Sequence, residues 1–287
     1  MAHCFVLSAR RRRLLTFLLV ALAPVASAQR AGSGGGVLLR VHPRVGDTLH
    51  TRLEQQSEVS ASVPGVSGRT TKSVTTSVTL SSRTIVQAST SATTLVLTIV
   101  DSAELRTSDS RTAAPLAVAE RNLRGQQLIL QLGADGTVES ARDPRGAPVS
   151  RDVADAMSAM PAVFPRRSVS VGEQWTRELP LPAGGPLGVR VSGRVNAVFR
   201  LDSLDRGGNL AYVSMRGEIL TDADSPGVEL SGDVSGAMQV DRQRGWVTDS
   251  RFAVMVRSLV TPSPSSGLAP MRFVTRVAQR LRTMDKR

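Results

Sequence analysis

Apolar and polar residues alternate along much of the chain and predict antiparallel β-strands. Between residues 189 and 202, Val195, Ala197 and Phe199 lie on one side of such a strand, and mostly polar residues fill the positions between them. Residues 74–80 and 228–240 follow the same period of two. This pattern is typical of strands with one buried face. About ten strands fit the length, and a sheet of that width must curl to bury its apolar side. We therefore predict a mainly β fold, a strongly curved antiparallel sheet forming a half-barrel or an open barrel.

Two landmarks recur in the same order and predict two similar halves. The segment VGDTL at 45–49 resembles VGEQW at 171–175, and each places a glycine turn and an acid before an alternating run. Farther on, Asp135-Gly136 predicts a hairpin, as does the stretch 241–245 that ends in Arg-Gly. We interpret this as an internal duplication with a first half at about 37–149 and a second at about 165–287. Chance similarity between glycine turns is the alternative.

A short helix is predicted between the halves. Ser150 is a suitable N-cap, Pro161 ends the segment, and the apolar residues of 150–160 fall at helical spacing. A helix this short needs packing partners. We expect it in the concavity of the sheet, either plugging it or acting as a lid over a ligand groove. The last segment, 271–284, is predicted as a strand, although its apolar spacing would also suit a helix.

The candidate binding surface combines this helix with the apolar face of the second half. The methionines of the helix can adapt to varied apolar partners. Gly193, Gly232 and Gly236 lie on the apolar face, where the absence of a side chain would let the sheet bend sharply or leave space for a ligand. The candidate ligand-binding residues are Val153, Met157, Met160, Val195, Phe199, Val234 and Met238.

The N-terminal residues predict export. Four arginines at 10–13 precede a short apolar run, and small residues stand at Ala26 and Ala28, where a signal peptidase would cleave. We predict a signal peptide at 1–28, a flexible linker at 29–36 and a single β domain at 37–287, soluble in the periplasm or outside the cell. The only cysteine, Cys4, precedes the cleavage point, so the fold is expected to form without disulfides.

The charge of the chain is strongly basic, at +12. A basic exported chain could bind an anionic membrane surface, and the alternative is a general preference for arginine over lysine, with the charges spread over solvated faces. Envelope proteins are the partners expected if the protein is a structural or interaction module. Nucleic-acid modules interleave cations with stacking aromatics, whereas aromatic residues make up 3% of this sequence and are scattered. We therefore expect no nucleic-acid partner.

The sequence contains no recognisable catalytic or metal-binding motif. His42 and His50 are eight residues apart, a spacing that matches no common zinc motif, and no third ligand is suggested. No Gly-x-Ser-x-Gly nucleophile turn occurs, and no pair of carboxylates is singled out by its spacing. We expect no catalytic residue, no metal, no cofactor and no enzymatic activity.

These motifs together resemble a family of uncharacterised exported bacterial proteins. The signal peptide, the Val-Gly-acid segments, the Asp-Gly hairpin and the central helix before Pro161 carry this resemblance. More distantly, the architecture is similar to that of half-barrel lipoprotein carriers of the periplasm, which implies an apolar cavity for acyl chains. The expected function is binding of a lipid or other apolar small molecule. The alternative is a structural or protein-interaction module of the cell envelope with a filled core.

Overall fold

The computed structural model describes residues 35–65, 68–149, 163–180, 193–221, 227–262 and 269–284. These residues form one eleven-stranded sheet and a 14-residue helix, α1 (Ser110–Leu123). The strands are β1 (Thr48–Gly65), β2 (Gly68–Ser89), β3 (Thr93–Thr107), β4 (Gln127–Gly133), β5 (Val138–Arg142), β6 (Gln174–Pro180), β7 (Gly193–Leu204), β8 (Leu210–Thr221), β9 (Val228–Asp241), β10 (Trp246–Val260) and β11 (Met271–Met284).

The strand order is β5-β4-β3-β2-β1-β11-β10-β9-β8-β7-β6, and every pairing is antiparallel. The first five strands form a meander that runs from the centre of the sheet to one edge. The remaining six start at the opposite edge and return to the centre, where β11 pairs with β1. Because β5 and β6 are not paired with each other, the sheet is not closed. The predicted mainly β, antiparallel fold is confirmed.

The two Val-Gly-acid segments form the same turn. Gly46 and Gly172 have φ angles of 89° and 87°, a region that favours glycine. The carboxylate of Asp47 accepts a hydrogen bond from the backbone N–H of Arg44, and that of Glu173 accepts one from Ser170. β1 and β6 each begin directly after the turn. The predicted entry of each segment into a strand is confirmed, and the duplication of the halves remains a prediction.

The predicted hairpins occupy corresponding places in the two meanders. Asp135-Gly136 joins β4 to β5, and the stretch 241–245 joins β9 to β10. Residues 271–284 form strand β11, as predicted. In β7, buried and exposed residues alternate from Gly193 to Leu201, as the sequence pattern requires.

Helix α1 was not predicted, and it covers an edge of the sheet. β4 pairs only with the first half of β3, so residues 101–107 would have an open edge. The Glu120 carboxylate accepts a hydrogen bond from the backbone N–H of Leu105 at 3.0 Å, and the Arg124 guanidinium donates to the carbonyl of Ala103. These bonds satisfy backbone groups that an edge strand leaves open.

The core is a single cluster that contains residues from both edges of the sheet. It includes Leu130 and Leu132 of β4 as well as Trp175 and Leu179 of β6. Strands that are far apart in the sheet order therefore pack on one core, as strong curvature requires. The predicted helix 150–160 lies outside the described residues.

An N-terminal arm, residues 37–46, ties several turns together at one end of the sheet. Val37 forms a bridge with Val169, the Val41 N–H donates to the carbonyl of Ala134, and the His42 N–H donates to that of Gly245. Gly245 has φ 60°, and a Cβ there would lie 1.9 Å from His42 Nδ1. Glycine is thus required where the arm crosses the β9–β10 turn.

Candidate functional site

Four of the predicted ligand-binding residues lie on one face of the sheet. Val195 and Phe199 are on β7, and Val234 and Met238 are on β9, with exposed fractions of 5%, 0%, 8% and 4%. We call the face that carries them the inner face. The other three candidates, Val153, Met157 and Met160, lie outside the described residues. The four described residues form a packed wall of the core.

An aromatic stack stands at the β6 end of this wall. The rings of Trp175 and Phe199 are parallel to within 11°, with centroids 5.6 Å apart. The indole N–H of Trp175 donates a hydrogen bond of 2.9 Å to the carbonyl of Val163. The stack therefore fixes the segment that leads into β6 against the inner face.

A row of directly opposed residues extends from this stack across the sheet. From β7 to β2 it contains Phe199, Met215, Gly236, Phe252, Gln279, Gln55 and Val78. A Cβ on Gly236 would lie 2.3 Å from Cδ1 of Phe252. Glycine is needed there because the phenyl ring lies over the neighbouring strand. The row is fully buried at Phe199 and half-buried from Phe252 onward.

The inner face of the central strands is apolar but only half-buried. We call this surface the central strip. Its members are Phe252, Val254, Val256, Val277, Leu281, Leu53, Val59, Val74, Val78 and Leu80, on β10, β11, β1 and β2. The strip continues the surface that is fully buried on β7 and β8. It is thus an apolar surface that the described residues cover in part.

The inner face carries very few charges. In β1, β2 and β6 to β11, the described inner-face positions hold two charged side chains, Arg177 and Lys72. Arg177 donates to the carbonyl of Phe164 and lies 3.8 Å from the Asp135 carboxylate. Lys72 is exposed, near the tip of the β1–β2 hairpin. The polar residues around the central strip are uncharged serine, threonine and glutamine.

A largely enclosed carboxylate links the two edges of the sheet. Asp135, in the β4–β5 turn, has a side chain that is 12% exposed. It accepts hydrogen bonds from the backbone N–H and the hydroxyl of Thr137 and from Nε of Arg166, at 3.2, 2.7 and 3.3 Å. Burial opposes ionisation, but these hydrogen bonds outweigh it and hold the pKa of Asp135 below its ordinary value. Together with Arg177 of β6, this cluster connects edges that share no strand pairing.

The sequence did not single out this cluster. Asp135 was interpreted only as part of an Asp-Gly turn, and its arginine partners are 31 and 42 positions away. No local spacing rule brings such residues together. The Asp-Gly turn was the one indication in the sequence, because the polar groups of a turn that packs against the protein need hydrogen-bond partners.

An open groove of about 610 Å³ runs across β9, β10, β11, β1 and β2, and its lining includes Phe252, Gln279, Gln55 and Val78 of the row described above. The lining also includes the residues on either side of that row, among them Arg251, Arg280, Glu54, Ala253 and Ala278, whose side chains strand alternation places on the outer face. The charged side chains of this lining already form ion pairs. Arg280 lies 2.7 Å from Asp249, and Glu54 bonds to neighbouring arginines.

The two histidines do not form a metal site with other described residues. His42 is in the N-terminal arm and His50 in β1. Burial, with a smaller contribution from the charge of Arg40, lowers the pKa of His42. No group of three or more His, Cys, Asp or Glu residues close enough to share a metal ion occurs in the described part of the chain. Within the same residues, no helix has the length and apolarity needed to cross a membrane.

Three solved structures show low similarity to this chain. A structure of lipovitellin, described by its lipid–protein interactions, is 8% identical, with a TM-score of 0.47, over 84% of this chain and 25% of the lipovitellin chain. DynF of the dynemicin biosynthesis pathway of Micromonospora chersina is 11% identical, with a TM-score of 0.23, over 88% of both chains. An outer membrane channel of Pseudomonas putida F1 is 10% identical, with a TM-score of 0.21, over 88% of this chain and 98% of the channel. The chain thus spans a quarter of the lipovitellin chain.

Comparison by sequence gives one family. No curated protein sequence matches the chain. Residues 150–247, less than half of the chain, match the profile of DUF6263, a family of unknown function. This stretch includes β6 to β9 and therefore the wall that holds Val195, Phe199, Val234 and Met238.

Proposed function

We propose that the protein is a non-catalytic exported protein that binds a lipid or other apolar ligand against the inner face of its curved sheet. One observation carries this proposal. The apolar surface that is fully buried at Phe199 and Met215 continues onto Phe252, Val254 and Val256, which remain half-buried. An apolar ligand would complete the burial of that surface.

The available energy is sufficient for binding of an acyl chain. Burying an apolar group stabilises by about 0.8 kcal/mol per methylene, so a chain of about 12 methylenes would gain roughly 10 kcal/mol before ordering costs. This gain requires surface that core side chains have left open. The central strip provides such surface, whereas Val195, Phe199, Val234 and Met238 are buried and would form the wall beside the ligand.

Export is part of the proposal and rests on the sequence of residues 1–28, which lie outside the described residues. A basic segment, an apolar run and a small-residue cleavage site would direct the chain out of the cytoplasm. An envelope location would place the binding surface near the lipids that it is proposed to hold.

Native mass spectrometry of the exported chain, followed by organic extraction, tests the proposal. We expect a co-purified apolar molecule. In titrations with a neutral, environment-sensitive dye, Val254→Asn should weaken binding about tenfold, because it puts an amide into the central strip. Ala253→Asn, one residue earlier, is the matched control, since that side chain is exposed on the outer face. The absence of both lipid and dye binding, or equal effects of the two variants, would refute the proposal.

A structural or protein-interaction module is the second candidate. The burial of Val195, Phe199, Val234 and Met238 favours it, because side chains already fill that part of the core. In that case the central strip is a region of the hydrophobic core that is less completely buried than the rest. The same titration distinguishes the two functions, since such a module would bind no dye and Val254→Asn would change only the free energy of unfolding.

A further inference from the structure

The polar groups around the central strip define the chemistry of a ligand more narrowly than the apolar surface of the strip does. Around the strip, the inner face carries Gln55, Ser57, Thr76, Thr275 and Gln279. All five side chains are half-buried and uncharged. A polar part of a ligand on this face would therefore meet hydroxyls and amides.

Gln55 and Gln279 form the centre of this polar group. They are directly opposed on β1 and β11, and the same row continues to Phe252 on one side and Val78 on the other. The structure shows no hydrogen bond from either side-chain amide to another described residue. Each amide offers two donors and one acceptor. Half-buried amides that bond to no other described residue, set between apolar neighbours, are suited to binding an oxygen atom of a ligand.

Charged groups are separated from this place by the sheet itself. Glu54, Arg280 and Arg251 are the sequence neighbours of Gln55, Gln279 and Phe252. Because side chains alternate along a strand, these three charged side chains lie on the outer face. On the inner face, Arg177 already bonds to Phe164 and lies beside Asp135. Lys72 is six residues along β2 from Val78, which corresponds to about 20 Å. In β1, β2 and β6 to β11, the described inner-face positions hold no other cation, so an anion at the glutamine pair would have no cation beside it on these strands.

Burying an unpaired anion is much more costly than burying a hydrogen-bonded neutral group. Building on the proposed function, we infer that the ligand is an uncharged amphiphile. Its apolar chain lies along the central strip, and a neutral oxygen-bearing group, such as an ester carbonyl or a hydroxyl, accepts hydrogen bonds from the amides of Gln55 and Gln279. Fatty acid carboxylates and anionic phospholipids are disfavoured by the same surface.

The test compares ligands that differ only at the head. A pyrene-labelled fatty acid, its methyl ester and the corresponding pyrene alkane are titrated into the wild-type exported chain at pH 8. We expect the ester to bind at least tenfold more tightly than the carboxylate and also more tightly than the alkane. As the pH falls and the acid becomes neutral, its affinity should approach that of the ester, whose own affinity should not change.

Variants assign this selectivity to the glutamine pair. Gln55→Leu with Gln279→Leu should reduce ester affinity about tenfold, to that of the alkane, because two amide donors are lost. Gln56→Leu is the matched control, since Gln56 is exposed on the outer face. If the double variant does not fold, Gln279→Met alone should give a smaller shift in the same direction.

The outcomes separate this inference from the function on which it rests. If the wild-type chain binds the carboxylate as tightly as the ester, the inference is wrong and apolar binding stands. Unchanged ester affinity in a folded glutamine variant would also overturn the inference. If none of the three compounds binds, the proposed function fails, and the inference fails with it.

Discussion

Removal of the Asp135 carboxylate should destabilise the protein strongly, because this group links the two edges of an open sheet. In Asp135→Ala, Thr137 and Arg166 lose their acceptor, and Arg177, 20% exposed, loses its nearby charge. Hydrogen bonds to a charged group contribute about 1.5–3 kcal/mol each and are not additive. With a carboxylate that is 12% exposed, we expect a loss of about 3 kcal/mol in the free energy of unfolding.

Asp101→Ala is the matched control. Asp101 also pairs with an arginine, Arg83, at 3.3 Å, but the two side chains are 39% and 48% exposed. Exposed pairs contribute about 0–1 kcal/mol. Urea unfolding followed by tryptophan fluorescence measures both variants. If the two losses agree within about 0.5 kcal/mol, the idea that Asp135 connects the edges is refuted.

The pH dependence provides an independent check on the same residue. Because the folded-state pKa of Asp135 lies below its ordinary value, the carboxylate contributes stability that is fully present above the unfolded-state pKa of about 3.9. That contribution is lost as the pH falls through the folded-state pKa. The difference between the wild type and Asp135→Ala should thus be constant from neutral pH to about pH 5 and shrink below pH 4. A difference that persists at low pH would indicate a loss of packing and not of charge.

Three further predictions concern the arm, its histidine and the helix. Gly125→Ala should lower the free energy of unfolding by roughly 1–2 kcal/mol, because Gly125 has a positive φ. Gly245→Ala should lower it by well over that amount, because Gly245 also has a positive φ and a Cβ there would collide with His42. Equal melting temperatures of the two variants would contradict this. Because the pKa of His42 is lowered in the folded state, the unfolded chain binds a proton at His42 at higher pH than the folded chain does. The free energy of unfolding should therefore fall as the pH drops below about 6.5. In urea titrations, His42→Gln should abolish this dependence on pH. Glu120→Ala should speed hydrogen exchange at the amide of Leu105, whereas unchanged protection there would show that the helix does not cap β3.

The strands were predictable because their pattern is local. In β7, every second residue from Gly193 to Leu201 faces the core, and this periodicity is legible in the sequence alone. The glycine turns before β1 and β6 were equally visible, since Gly46 and Gly172 need a conformation that other residues avoid. The length of residues 271–284 and their spacing left two possibilities, which pairing with β1 and β10 resolves.

Helix α1 was missed because its sequence has little helical periodicity to detect. Its contacts with β3 depend mainly on Glu120 and the adjoining Arg124, none of its residues is buried, and Pro115 stands inside it. A proline in a helix interior normally argues against helix. The usable signal was Asp109, an N-cap whose side chain accepts from Arg111, followed by a run rich in alanine.

The candidate site was predictable in its apolar part and not in its polar part. Val195, Phe199, Val234 and Met238 share a face because of strand alternation, which the sequence shows. The opposition of Gln55 and Gln279 depends on the register of β1 against β11, whose residues are more than 200 positions apart. Register between distant strands is set by the whole sheet, so no local pattern reveals it.

The pairing of the first strand with the last has a consequence for the biogenesis of the protein. β1 is 18 residues long, and one of its edges stays open until β11 has left the ribosome. Non-local pairing of this kind is slow, and long open edges invite association between chains. Deletion of residues 271–287 would leave this edge open permanently, so the shortened chain should aggregate and not merely fold less stably.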